Sequence, residues 1–242
     1  MRVRARAIAI LVGVASLTGP PLVGGQNRGG PPTTARASAP VDLTGYWVAF
    51  VTEDWRYRMV TPPKGDYGRV PMTPEARAIA DAWDPAADEA AGLQCRSYGA
   101  AAIMRVPGRL HITWEDANAL RVDTDAGMQS RLFHFDAVPA NAGQPTWQGE
   151  SRAQWDGPGR SLTVVTRNMR AGYLRKNGVP YSEHAVVTEY FDVAPLPGDG
   201  QVLLVTTVVD DPQYLRQPFV VSTHFKKEAD GSKWDPTSCS AT

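Results

Sequence analysis

Glu189 falls in the run AVVTEYFDV, where the alternate positions Ala185, Val187, Phe191 and Val193 are all apolar. A carboxylate sharing one strand face with such residues is the group in this chain best suited to general acid–base chemistry. If that face points inward, desolvation disfavours the charged form of a lone carboxyl and makes it a usable proton donor or acceptor. Its candidate partners are Arg131 and His111, both from the stretch RLHITWEDANALRVDTDAGMQSRLFHFD at 109–136, where Arg131 could also counter the charge of Glu115, Asp123 and Asp125. Along that stretch an apolar set (Ile112, Trp114, Leu120, Val122, Leu132, Phe133) alternates with a chemically capable one: His111, Glu115, Arg121, Asp123, Asp125, Arg131 and His134. The same pattern suits a solvated outer face laced by cross-strand ion pairs, each worth little.

Other chemistries have less support. The histidines His111, His134, His184 and His224 are far apart, with no HExxH, no HxH and no cysteine cluster, so no metal site and no cofactor is expected. Gly149–Glu150–Ser151–Arg152–Ala153 resembles a nucleophile elbow only faintly. Its serine lies within an alternating strand, WQGESRAQW, with no helix after it to strain the turn. The run RAGYLRKNGVPYSEH at 170–184 is dense in aromatic and charged residues between two strands, as a lid or a long solvated hairpin would be.

The elements that must position these groups are mostly strands. Three short ones follow one another within 109–136, split at Asp116–Asn118 and Asp125–Gly127. Further strands are expected at 42–51, 55–60, 146–156, 161–169, 185–193, 202–210 and 219–227, separated by Gly- and Pro-rich breakers. Helix signals occur once: Thr73 as N-cap, Pro74 at the first position and Glu75 behind it, then a restart at Asp84–Pro85 that stops at Gly92. The expected fold is therefore all-β, an antiparallel up-and-down barrel with a short helical insertion near 73–92.

Residues 1–25 combine Arg2, Arg4 and Arg6 with a short apolar run from Ala7 to Leu17, the pattern of a secretory signal peptide too short to span a bilayer. Residues 26–40, rich in Gly, Pro, Thr, Ala and Ser, read as a flexible tether, and 41–242 as one barrel domain. The 25 basic and 25 acidic residues balance, and losing the signal segment leaves the remainder mildly acidic, which argues against nucleic acid as a partner. Export places Cys95 and Cys239 in an oxidising compartment, secreted or periplasmic, where they should pair.

Gly45–Tyr46–Trp47 at the head of the first strand resembles the GxW opening of calycin barrels, the lipocalin and avidin group. That resemblance implies an eight-stranded up-and-down barrel with Trp47 packed across its closed end. TGYW, TPPKGDY, RKNGVPYSE, TEYFD and KWDP also resemble elements of secreted bacterial β-rich proteins. The expected function is to enclose a small hydrophobic or amphipathic molecule in the barrel cavity, with Trp47, Trp114, Tyr173, Tyr181, Phe191 and His224 as candidate contacts. The alternative is a cofactor-free isomerase, dehydratase, lyase or cyclase using Glu189, His111 and Arg131, and an interaction module is a third class. N-terminal sequencing of the protein recovered from cells should begin between Gly25 and Ser38, given a signal length of roughly 15–30 residues; an intact Met1 contradicts export.

Overall fold

Eleven strands carry the alternation: β1 (Gly45–Ala49), β2 (Arg109–Trp114), β3 (Ala119–Thr124), β4 (Ser130–His134), β5 (Glu150–Asp156), β6 (Ser161–Arg167), β7 (Gly172–Tyr173), β8 (Pro180–Tyr181), β9 (Val186–Leu196), β10 (Gly200–Asp210) and β11 (Phe219–Lys227). They are seen in a computed structural model that describes residues 33–136, 144–157, 161–198 and 200–242; the expected signal segment lies outside the described residues. Nine of the strands close a barrel in the order β1-β11-β10-β9-β6-β5-β4-β3-β2, and β7 and β8 form a separate hairpin. The all-β barrel follows the expectation. Its strand number is nine rather than the eight implied by the calycin resemblance, and one joint is parallel: β4 meets β5 through Phe133↔Ser151 and His134↔Arg152.

Inward positions follow the period of two. Leu110, Ile112, Leu120, Val122, Phe133, Leu162, Val164, Phe191, Leu203, Val205 and Phe225 are buried in one core with Trp47. Trp47 is fully buried, donates its indole N–H to the Leu43 carbonyl (2.9 Å) and lies 4.3 Å from the Lys227 Nζ. Leu132, read as a wall packer, faces outward, and Arg131 beside it faces in.

The 50–108 connection builds a cap over one barrel end. Its helices are α1 (Trp55–Arg58), α2 (Pro74–Ala82) and α3 (Pro85–Ala90), followed by 3-10 turns at Gln94–Tyr98 and Ile103–Arg105. The caps form as the sequence implies: the Thr73 Oγ1 accepts from the Ala76 N–H (3.2 Å), and the Asp84 Oδ1 accepts from Ala86 (2.9 Å) and Ala87 (3.3 Å), each with Pro at the first helical position. The strand expected at 55–60 is instead the single turn α1. WRYRMV alternates bulky and charged residues, but no neighbouring strand takes it up, and Arg58 is drawn inward by Glu53. The β7–β8 hairpin packs into the cap as well. Gly178 adopts φ 81° at its turn, and a methyl there would run into Trp83. A second apolar cluster, with Met72, Ala76, Ala80, Leu174, Tyr181, Val187 and Phe219, joins cap to barrel.

Two terminal segments close the structure. The described part of the 26–40 tether is folded, not free: the Asn118 side chain accepts from the Ala35 N–H, and the Trp155 indole donates to the Ala35 carbonyl, both at 2.9 Å. At the other terminus residues 228–242 run back outside the barrel. Trp234 meets the stacked Tyr46 and His111 rings edge-on, the Thr237 N–H donates to Asp125 (2.9 Å), and Cys239 bonds Cys95. That disulfide spans 144 residues of sequence. Thiol titration of denatured, unreduced protein should find no free thiol, and Cys95→Ser with Cys239→Ser should lower stability by up to about 5 kcal/mol in urea unfolding, the chain-entropy value for a loop of this length.

Candidate functional site

Two charged clusters occupy the barrel axis and its cap. The first lies in the lumen. Arg131 on β4 and Glu189 on β9 face each other across the interior, separated along the sheet by β5 and β6. The pairing is bidentate: Arg131 donates from Nη1 to the Glu189 Oε1 at 3.0 Å and from Nη2 to Oε2 at 2.6 Å, and both side chains are 0% exposed. Arg131 Nη2 also donates to the Thr166 Oγ1 (3.2 Å), which shares a hydrogen bond with the Ser151 Oγ (2.8 Å). The guanidinium lies 4.9 Å over the Phe133 ring. Only Arg131 Nε and, on β10 opposite Glu189, Thr207 Oγ1 lack a partner in this layer.

This geometry confines what the layer can do. A guanidinium has no proton to give at ordinary pH, and it engages both carboxylate oxygens here. Glu189 is thus a fixed acceptor rather than a lone carboxyl in an apolar lumen. The sequence-derived partner Arg131 reaches it. His111 does not: it is on the outer wall, stacked 4.1 Å from Tyr46. Ser151 is buried and tied to Thr166, with no base beside it.

The second cluster lies in the cap, where α1, the Ile103–Arg105 turn and the β7–β8 loop converge on a cavity of about 350 Å³. Arg58, Arg105 and Arg175 all line it, and all three are buried; Lys176 stands at its rim. Tyr57, Met59, Pro62, Val106, Pro107 and Leu174 supply an aromatic and apolar wall. Two carboxylates serve the three guanidinium groups. Glu53 pairs with Arg58 and is also 3.1 Å from the His224 Nδ1. Asp54 pairs with Arg105 (2.8 Å), with the exposed Arg69 (3.5 Å) and, at 4.0 Å, with Arg175. Asp54 reaches them through a φ of 50°, a left-handed turn that aspartate tolerates better than most residues.

The remaining donors are partly satisfied by carbonyls: Arg58 Nε donates to Arg105 O (3.0 Å) and Arg175 Nη1 to Gly68 O (2.8 Å). Arg175 also lies 4.3 Å over the Tyr57 ring. Four guanidinium nitrogens stay without hydrogen-bond partners: Arg58 Nη2, Arg105 Nη1, Arg175 Nε and Arg175 Nη2. Burial pulls the pKa of all three arginines down, Glu53 offsetting this for Arg58 and Asp54 for Arg105. Arg175 is pushed to about 10, by its burial and then by the neighbouring Arg105 charge.

The other sequence-derived residues are dispersed. Phe191 packs in the lumen against Phe133 (5.4 Å between ring centroids), and Trp114 lies near the opposite barrel end with Phe135 and Trp155. Tyr173 is in the cap, where the Arg96 Nη1 donates to its hydroxyl (3.0 Å). Tyr181 is fully buried with its hydroxyl unpartnered, and burial raises its pKa. His224 lies on the outer wall beside Thr52 and Glu53. With Trp47 in the barrel core, none of the six candidate contacts lines the cap cavity. The outer-face charges form the pairs a solvated wall would, Arg121 with Asp123 (2.9 Å) and with Glu115 (3.5 Å). Among the described residues no group of three or more His, Cys, Asp or Glu could hold a metal ion. Sequence reading passed over Arg58 and Arg105. The signal for Arg105 is present, a lone charge closing the apolar run AAAIM; Arg58 is marked only by the density of charge in EDWRYR.

Comparison with family models, curated proteins and solved structures finds no match, so the two clusters stand on their geometry. For the lumenal pair, Glu189→Gln should cost about 3–5 kcal/mol in urea unfolding because it strands a buried guanidinium. The double variant Arg131→Met with Glu189→Leu should recover most of that loss, and a double variant no better than the single one contradicts a pairwise role.

Proposed function

We propose that this chain is an exported, calycin-like barrel that binds a small, largely apolar or amphipathic molecule. One observation carries the reading: a concave space of ligand size, about 350 Å³, with Met59, Val106, Pro107 and Leu174 on its wall beside Tyr57, Ser97, Thr237 and three arginines. Small-molecule sites combine an apolar wall with convergent polar groups in this way. The place proposed for the ligand is the cap, since bulky side chains occupy the inward positions along the barrel.

Carriage is favoured over catalysis by the chemistry of the pocket. Its ionisable lining groups are three arginines, a lysine and the phenols Tyr57 and Tyr98, all protonated at neutral pH, so they hold and orient a ligand but are poor proton acceptors. Export is supported by the basic and apolar N-terminal pattern and by the Cys95–Cys239 bond. No helix among the described residues is long and apolar enough to cross a membrane.

Titration with the neutral fluorophore phenylnaphthylamine should show saturable binding to one site, with blue-shifted emission. Thr61→Trp, at an exposed position on the pocket wall, should fill the mouth and weaken binding about tenfold or more while leaving the melting temperature unchanged. Absence of binding, or binding indifferent to Thr61→Trp, contradicts the site.

A further inference from the structure

We infer that the cap pocket selects an amphipathic monoanion, a single oxyanion headgroup such as a carboxylate or sulfonate on an apolar body. The inference rests on the pocket being a ligand site and specifies what enters it.

Charge counting leads there first. Arg58, Arg105 and Arg175 are buried around one cavity, and only Glu53 and Asp54 are paired with them. Neither carboxylate is fully available: Glu53 also meets His224, and Asp54 also meets Arg69. Lys176, also on the lining, stays out of the count, because its Nζ donates to Thr242 O (3.2 Å) and lies 4.8 Å over the Tyr98 ring. The cluster therefore holds at least one cation more than it can neutralise. Uncompensated charge is costly to bury, so such an excess is unusual unless something outside the chain completes it.

Hydrogen bonding points the same way. Arg58 Nη2, Arg105 Nη1, Arg175 Nε and Arg175 Nη2 have no acceptor; their residues line the cavity while these atoms lie beneath its surface, so a guest's oxygen reaches them by displacing the side chains that cover them. Arg175 Nε and Nη2 form one edge of a planar fork, the arrangement that accepts two oxygens of one oxyanion. The Arg175 Nη2 has only the 4.0 Å approach to Asp54, too long for a hydrogen bond. Tyr57 stacks on this guanidinium and holds it in place.

The rest of the wall defines the body of the ligand. Met59, Pro62, Val106, Pro107 and Leu174 present no acceptor or charge from their side chains and offer a ligand's body an apolar surface, beside the polar Thr61, Ser97, Tyr98 and Thr237. One headgroup matches the excess of about one charge. A free inorganic anion would leave the apolar wall unused.

The test pairs two dyes that share a scaffold, neutral phenylnaphthylamine and its sulfonated counterpart anilinonaphthalene sulfonate. The sulfonated dye should bind the wild-type protein at least about tenfold more tightly, the increment expected of one or two charge-assisted hydrogen bonds. Arg105→Gln and Arg175→Gln should each collapse that preference toward unity, the sulfonated dye losing more affinity than the neutral one. Should either variant fail to fold, Thr61→Trp serves instead, and affinity for both dyes should fall together. Equal affinity of the two dyes for wild-type protein overturns the anion inference and leaves the pocket reading standing. Affinity for the sulfonated dye that is unchanged by Thr61→Trp places the anion elsewhere and overturns it too. Failure of both dyes to bind overturns the pocket reading and this inference with it.

Discussion

The joint between β4 and β5 is the weakest seam in this barrel, and the interior is organised around holding it. Every other neighbouring pair in the closed sheet is antiparallel, whereas β4 and β5 run parallel and are matched at only two registered pairs. Parallel pairing is slightly less stable per residue, and so short a ladder specifies register poorly. The buried polar chain crosses this seam. Arg131 comes from β4, Ser151 from β5, Thr166 from β6 and Glu189 from β9; Arg131 donates to Glu189 and Thr166, and Thr166 shares a hydrogen bond with Ser151. A slip of one residue in β4 would turn Arg131 outward and leave Glu189 buried without a counter-charge. The pair need not add much net stability over an apolar replacement, but it penalises the wrong register heavily.

Filling the barrel has a consequence for where a ligand can go. The layer below the ion pair is built from Phe133, Phe191, Leu120, Leu162, Val205 and Phe225, all essentially inaccessible. Space for a guest is found instead in the cap, which the 50–108 connection and the β7–β8 hairpin build together. Few of the pocket's polar groups sit on barrel strands. They come from a one-turn helix, a 3-10 turn and a loop, elements with little stability of their own. The cap is held by its packing on Val187, Val209 and Phe219 of the barrel, by the Asp211 carboxylate that accepts from the Ser182 N–H (2.6 Å) and hydroxyl (2.8 Å), and by the disulfide at Cys95. The strap formed by 228–242 thus links the barrel's outer wall to the segment leading into the pocket.

Legibility in the sequence divides along the same line. The period-two alternation located β2, β3, β4 and β11 closely, because a wall with two unlike faces writes itself into successive residues. Thr73–Pro74 and Asp84–Pro85 located α2 and α3 because capping is a local interaction. Arg131 was legible as a partner of Glu189, whereas the bidentate ion pair that replaces a lone carboxyl was not, because it is made across the lumen between strands far apart in sequence. Which neighbour β5 takes was not accessible, since strand direction depends on a long connection whose path has no local signature. The cap arginines are harder still. Arg58, Arg105 and Arg175 stand 47 and 70 positions apart and form no motif. Arg175 fell in the loop singled out for its mixture of aromatic and charged residues, yet nothing there indicated which residues it would join. WRYRMV shows the limit of alternation itself: over six residues, a helical turn and a strand present the same pattern of bulky and charged side chains.

The contrast between the two buried arginine sites is itself informative. Around Arg131 the chain supplies nearly everything the guanidinium requires: both oxygens of one carboxylate, a hydroxyl and an aromatic face, with one nitrogen left over. Around Arg58, Arg105 and Arg175 it supplies two shared carboxylates and two carbonyls, and leaves four nitrogens without acceptors. The first site is closed on itself and excluded from solvent, as a structural network must be to be worth its desolvation. The second is incomplete in charge and in hydrogen bonding, and it is incomplete where the surface is concave. A protein that can satisfy all but one nitrogen of a guanidinium in its lumen has no general difficulty in doing so. The shortfall in the cap is therefore best understood as a requirement that a guest fulfils, and it distinguishes the part of the molecule that holds its shape from the part that meets its surroundings.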